Sequence, residues 1–495
     1  LLFNKKRKMK SIIKVNYKLS ALLLMFSLQA VAQNEDDALR YSLTKFGGTA
    51  RSTAMGGAFG ALGSDFSALS INPAGIGLYR KSEFTFSPAL GGSATSTNYF
   101  GEGYKDDRYQ FSVSNFGMVI AGTKDSKANK WKGAGLAFGY NRLVNFNNRA
   151  VIQGNNGSSS LTDVYLSEAK SLDPSNLPAF GTDMAWSTYL IDTLNGEYFS
   201  SMPSNINKTQ RKTIEKRGGM GETIISFGGN YDNKLFLGAT LGFQKIRYWE
   251  ESNYSESPVT DTFDIKGFSV NNYLNTDGNG MNLKFGMIYM PVPFVRIGGA
   301  FHSPTFFNMH DSYSTGMTTS FNDGTTINAG TDANGGGDKG NYDYRFNSPF
   351  RAVGSLAFIF GQYGLISADY EYVDYREARF RAVGYSFIDQ NNTIRDKYKA
   401  VGNIRVGSEI KLDPFSIRLG YALYASPFKD KSLMSDQQFF TGGFGYRQDG
   451  FFADISYVRS MYNEKYYLYN SSFNPTPSNN KLTSGTIVGT VGVKF

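Results

Sequence analysis

The stretch NIRVGSEIKLDPFSIRLGYALY, residues 403–424, decides how the rest of the chain is read. Ile404, Val406 and Ile410 stand opposite Arg405 and Glu409. Asp413-Pro414 then turns the chain, and Ile417, Leu419, Tyr421 and Leu423 alternate against Arg418. Period two sends successive side chains to opposite faces of a strand. Two such runs joined by a two-residue turn predict a hairpin with one apolar face and one charge-bearing face. The pattern recurs in LFLGATLGF (235–243), MNLKFGMIY (281–289) and TIVGTVGVKF (486–495).

Fourteen such segments begin near residues 82, 109, 131, 222, 234, 281, 294, 350, 363, 402, 415, 438, 450 and 485. Their connections alternate in length. Six are short, at 123–130, 231–233, 291–293, 361–363, 413–414 and 448–450. Seven are long and polar, at about 91–108, 147–221, 250–280, 303–349, 375–399, 426–437 and 462–483. A soluble sandwich or propeller also alternates, but an even strand number with alternating loop lengths is the pattern of an up-and-down outer-membrane barrel. Segments of about ten residues suit tilted membrane strands. The predicted fold is therefore all-β, a 14-stranded antiparallel transmembrane barrel, with short turns toward the periplasm and long loops outside.

Composition agrees. The 495 residues include 55 Gly, 40 Phe and 32 Tyr, with only 19% charged residues, which favours strands and turns over helices. Residues 1–32 read as a signal peptide with Met9 as initiator: basic residues, the apolar run LSALLLMFSLQAVA (19–32), and a small-residue ending near Ala32. Seven of the 51 Lys and Arg precede that run, leaving 44 against 42 Asp and Glu, so the formal +9 belongs to the leader and implies no nucleic-acid partner. The absence of Cys removes thiol chemistry and thiolate metal sites.

Residues 33–81 lack sustained alternation. EDDALRYSLTKF (35–46) predicts a short helix, followed by a Gly-rich turn and a second short helix ended by Asn72-Pro73. Gly57, Gly60 and Gly63 resemble a phosphate loop only in composition, since no βαβ unit surrounds them. NINKTQRKTIEKR (205–217) reads as a solvated loop helix.

With the barrel on one side and GGAFGALGSDFSALSINPAGIGLYRKSEF (56–84) on the other, the chain resembles the FadL/TodX (OmpP1) family of outer-membrane transporters for hydrophobic compounds. The resemblance rests on Asn72-Pro73-Ala74 just before the first strand, and extends through VPFVRIGGAFHSPT (292–305) and residues 403–428. It implies that residues 33–81 form a plug inside the barrel of residues 82–495, with Asn72, Pro73, Ala74 and Gly75 as its gate. It also implies passive transport of a hydrophobic or amphipathic, fatty-acid-like ligand, without cofactor or metal. A kink in the third strand, which carries Gly133, Gly135 and Gly139, would open the wall; packing of plug on wall explains those glycines equally. Phe495 resembles the closing aromatic read by the barrel-assembly machinery. A monomer embedded in outer-membrane lipid is expected.

The parity of the strands points Lys284, Arg296, Asp369, Glu371, Arg405, Glu409, Arg418 and Asp454 into the lumen. Arg405, then Arg296, Arg418 and Lys284, are candidate contacts for a ligand carboxylate; the alternative is a network tying plug to wall. His302 and His310, the only two histidines, lack a visible nucleophile or base partner and predict neither enzyme nor metal centre. The glycine-rich stretches 275–280 and 331–341 lack the closing carboxylate of an EF-hand loop and read as external turns. A rival function, through the long loops, is that of an interaction component in protein secretion or surface display. An open porin is disfavoured by the plug.

Overall fold

The computed structural model describes residues 34–123, 130–260, 263–330 and 339–495. The leader expected at 1–32, most of the turn at 123–130 and most of the stretch 331–341 lie outside the described residues. Within them, fourteen antiparallel wall strands close on themselves. In chain order the strands begin with β1 (Glu83–Tyr99), β2 (Glu102–Thr123), β3 (Trp131–Asn145) and its continuation β4 (Asn148–Asn156). A small hairpin, β5 (Ile191–Leu194) and β6 (Glu197–Ser200), precedes β7 (Lys208–Tyr231), β8 (Leu235–Pro258), β9 (Ile265–Val292) and β10 (Val295–His302). β10 is prolonged by β11 (Phe306–Phe321), followed by β12 (Thr326–Gly330) and β13 (Lys339–Asn347). The wall resumes with β14 (Arg351–Phe360), β15 (Gly364–Asp374), the short β16 (Arg379–Arg381), β17 (Ala400–Leu412) and β18 (Phe415–Tyr424). It ends with β19 (Gln437–Gln448), β20 (Phe451–Tyr466) and β21 (Ser478–Lys494), which closes on β1 from Glu83↔Lys494 to Asn98↔Asn479. Helices are few: α1 (Glu35–Ser42), α2 (Ala50–Ala54), α3 (Thr162–Ala169), α4 (Thr182–Ser187) and α5 (Ile388–Lys397), with 3-10 turns at Phe66–Ser70 and Pro73–Leu78 among others.

The parity read from the sequence holds. Leu237, Leu283, Phe285, Ile404, Ile410 and Leu419 are exposed on the outer face, while Lys284, Asp369, Arg405, Glu409 and Arg418 are buried on the inner one. Trp131, Phe294, Tyr363, Phe415 and Phe451 are exposed at the short-turn end, the aromatic girdle of a membrane interface.

Strand starts at the short-turn end fall where the alternation placed them, as do those of β14, β17 and β19 at the opposite end, but the other strands there begin earlier. β7 begins at Lys208 rather than near 222, and β9 at Ile265 rather than near 281. The expected loop at 91–108 is a continuous hairpin turning at Phe100-Gly101. Residues 208–217, read as a loop helix, are strand, paired with β4 and β8. Beyond the hydrocarbon neither face of a strand has to be apolar, so hydrogen bonding continues after the period-two signal has stopped.

Residues 157–207, between β4 and β7, cap this end of the barrel. Tyr165, Ala185, Leu190 and Met202 of the cap form one buried cluster with Tyr254, Phe268 and Val270 of β8 and β9, Met317 of β11, and Leu468 before β21. The buried Glu256 anchors it, accepting from Ser160 Oγ (2.6 Å), Leu161 N (2.8 Å), Gln210 Nε2 (3.0 Å) and Tyr254 OH (2.5 Å). Glu256→Ala removes four hydrogen bonds, of whose donors Gln210 Nε2 alone keeps other acceptors in Ser159 O and Tyr469 OH, and should loosen the cap by about 2–3 kcal/mol. Limited proteolysis within 157–207 should quicken by an order of magnitude or more with the wall intact; unchanged cleavage would count against this anchor.

Candidate lumen site

The N-terminal segment fills the lumen, and its first helix starts with a side-chain cap. Asn34 Oδ1 accepts from Asp37 N (3.1 Å) and the Asp37 carboxylate accepts from Asn34 N (3.3 Å), a reciprocal capping box. Leu39 and Tyr41 of α1 enter an aromatic cluster with Tyr248, Phe307, Phe346 and Phe380. Lys397 at the end of α5 pairs with Glu35 (2.8 Å). Burial pushes the Asp37 carboxyl up to about 7, although the Arg40 guanidinium beside it pulls the other way.

The Asn72-Pro73-Ala74-Gly75 motif sits against the wall. Pro73 keeps Asn72 extended (φ −141°, ψ 105°), and Asn72 Oδ1 accepts from Ala74 N (3.1 Å) to start the 3-10 turn. Asn72 Nδ2 donates to Gly60 O (2.6 Å) within the plug and to Met287 O (3.1 Å) on β9. Asn72-Pro73 therefore opens this turn rather than merely ending the one before it. The seat is a row of glycines: Gly135, Gly228, Gly238 and Gly286 are successive register partners across β3, β7, β8 and β9. A Cβ on Gly135 or Gly228 would stand 2.8 or 2.7 Å from the Ile76 side chain, and on Gly238 2.3 Å from Pro73 O. On Gly286 it would stand 1.9 Å from Asn72 Oδ1. Gly139, paired with Gly117, faces the Phe66 ring at 2.5 Å in the same sense. Gly133 meets only its neighbour strand, Gly122 O at 3.0 Å.

The lumen charges pair with one another and with the plug. Arg51 of α2 lays Nε and Nη2 on Glu409 (2.9 and 3.1 Å), and Arg418 joins Glu409 to Asp454 at 2.6 Å each. Burial alone would pull the Arg51 guanidinium down, but Glu409 outweighs it and holds the guanidinium above its ordinary value. Lys284 meets Glu222 (2.5 Å) and Ser70 O (3.2 Å). Arg405 lies between Asp369 (3.5 Å) and Glu371 (3.7 Å), and Arg296 donates to Leu62 O (2.7 Å). Arg351, Arg51 and Asn72's wall contact were not singled out from the sequence. Arg351 pairs with Glu371 (2.9 Å) and donates to Ser42 O. His302 Nε2 contacts Ile71 O (2.8 Å), whereas His310 contacts Asp343 on the outer extension, so the two histidines serve separate places.

Cavities remain around the plug. A polar one of about 70 Å³ is lined by Ser70, Asn282, Lys284, Arg351 and Arg405. A larger one of about 360 Å³ has a mixed lining, with Leu43, Phe46, Phe146 and Phe439 beside Gln110, Asn148, Lys216 and Glu464. The larger borders an irregular part of the wall. β2 pairs with β3 from Thr123↔Gly133 only as far as Asn115↔Asn141; from Val113 to Glu102 it pairs with β1 alone. The plug bridges the break, with Lys45 N donating to Leu143 O (3.3 Å) and Ser114 Oγ to Gly48 O (2.7 Å).

No protein-family profile matches the chain, and no curated protein matches its sequence. Among solved structures, a FadL homologue from Pseudomonas aeruginosa is similar at 14% identity with a TM-score of 0.56, over 92% of this chain and 98% of that one. The toluene transporter TodX of P. putida is similar at 13% identity with a TM-score of 0.51, over 91% and 99%. At such identities the likeness is one of fold: the chain is a closed fourteen-strand barrel of the FadL and TodX type, the kind that spans a Gram-negative outer membrane.

Proposed function

We propose that this chain carries hydrophobic or amphipathic small molecules, long-chain and fatty-acid-like, across the outer membrane by passive diffusion. The observation that carries the reading is the 360 Å³ cavity of amphipathic lining, with Leu43, Phe46, Phe146 and Phe439 beside polar groups such as Gln110, Asn148 and Lys216, next to the stretch where β2 and β3 part. Its size falls within the range of small-molecule sites, ~300–1,000 Å³. Removing apolar ligand surface from water supplies ~25 cal/mol per Å², enough to drive capture without an energy source. In this reading residues 1–32 are a leader, 33–81 the plug and 82–495 the barrel. The ligand enters under the cap, and rearrangement around Asn72-Pro73-Ala74-Gly75 lets it pass. The break between β2 and β3 is the candidate side exit, and Phe495 the signal for assembly of a monomer.

Whole-cell uptake of a labelled long-chain fatty acid, in a strain lacking its own importer, should rise several-fold with the intact chain and change on deletion of residues 34–81. Absence of ligand-dependent uptake or binding across a panel of apolar compounds would overturn the reading. One observation favours a second role, as a docking component in secretion or surface display: the cap exposes Leu172, Tyr189, Leu194 and Phe199. Affinity purification separates the two, since a stoichiometric protein partner supports docking and co-purified lipid supports transport.

A further inference from the structure

On the outer face of the wall, arginines gather at the long-loop rim of the apolar belt. Phe301 and Phe306 are exposed there, at the end of β10 and the start of β11. Phe306, Asn347 and Arg379 are register partners across β11, β13 and β16, and the next row outward is Asn308, Arg345 and Arg381. That row lies about 7 Å further along the strands, at ~3.4 Å per residue. The intervening Phe346 and Phe380 are buried with ring centres 5.3 Å apart, so Arg345 and Arg381 point outward, and both are exposed. Arg395 of α5 stands nearby. Partial burial pulls the Arg379 guanidinium below its ordinary value; Glu377 opposes this, and Arg395 and Arg381 add to it. Among the described residues none of these four arginines makes an ion pair. Asp374 is taken by Arg376 (2.6 Å) and Asp343 by His310 (2.7 Å). Just after Arg381 the chain exposes Val383, Tyr385 and Ile388.

Like charges directly opposite each other on paired strands repel, and Arg345 faces Arg381 with no carboxylate between them. An anion bridging the two relieves that cost, and the guanidinium fork matches phosphate oxygens. Cations beside exposed apolar side chains make up an interfacial membrane contact. We infer that Arg345, Arg379 and Arg381, with Arg395 beside them, bind the phosphate groups of an anionic glycolipid of the outer leaflet, of the lipid A class, whose acyl chains lie against Phe301 and Phe306. Height separates this occupant from an acidic protein: a row on the rim of the belt, with apolar side chains alongside, fits a lipid headgroup. Such a contact is independent of what the lumen carries, and it holds the extension of β13 and β16 against the leaflet.

Native mass spectrometry of the whole protein in a neutral maltoside detergent, titrated with bisphosphorylated lipid A and with the same lipid stripped of phosphate, tests this. The wild type should prefer the phosphorylated lipid. Arg345→Gln combined with Arg381→Gln should weaken that lipid on the order of ten-fold and leave the stripped one unchanged. Arg80→Gln, at an exposed arginine of the short-turn end that bonds Asn233 (2.9 Å), should change neither. Gel mobility before and after heating reports that each barrel is folded. Millimolar inorganic pyrophosphate should leave the lipid in place. Equal binding of both lipids by the wild type, no loss in the double variant, or an equal loss in Arg80→Gln would overturn the site. Displacement by pyrophosphate would overturn the lipid as its occupant.

Discussion

Gly286→Val should unseat the plug from the wall. The added Cβ would stand 1.9 Å from Asn72 Oδ1 and 2.9 Å from Pro73 Cδ, and neither atom can retreat. Asn72 is held by Gly60 O and Met287 O, and Pro73 backs onto Gly238. Overpacking costs about 1–3 kcal/mol, and each lost buried hydrogen bond adds about 1 kcal/mol. A loss of about 3–5 kcal/mol is expected for the docked plug. Residues 56–80 should become protease-sensitive, and ion conductance through reconstituted barrels should increase. Gly354→Ala is the control, because a Cβ there meets nothing within 4 Å. Equal behaviour of the two variants would show that the glycine row does not seat the motif.

The second large effect is expected at Glu409. Its carboxylate is shared by Arg51 of the plug and Arg418 of the wall, all three buried. Glu409→Gln leaves two buried guanidinium groups with Asp454 as their remaining carboxylate, at 2.6 Å from Arg418. Removing one partner from such a network costs about 3–5 kcal/mol, mostly as the penalty of the charges left behind. Arg51→Met in the same chain should recover part of that loss, because it removes one of the stranded cations. Denaturant unfolding in detergent measures both. Strict additivity of the two substitutions, or a loss below about 1 kcal/mol, would mean that the triad does not couple plug to wall.

How much of this was legible in the sequence depends on where the lipid imposes its demand. A strand crossing hydrocarbon must show it an apolar face, so the alternation around Leu237, Phe285 and Leu419 gave the strand number and the inward parity of Arg405 and Arg418. Above the membrane that demand lapses, and the charged run at 208–217 resembled a helix while its backbone was paired on both sides. Pairing was equally hidden. Asp369 and Arg405 are register partners, as are Glu409 and Arg418, but this shows only once the neighbouring strands are known. Each glycine of the row was visible alone; their alignment is a property of four registers at once. A search for glycines at inward-parity positions of adjacent strands would have found it.

That row has a mechanical consequence. Across β3, β7, β8 and β9 the inner surface at this level is bare main chain, and glycine is among the least rigid residues a strand can contain. The plug is thus a brace as well as a stopper: it stiffens a strip of the cylinder that lacks side chains of its own. A barrel emptied of residues 34–81 would be a softer tube and not simply a wider one, and its pore would fluctuate in bore rather than stand open at a fixed diameter.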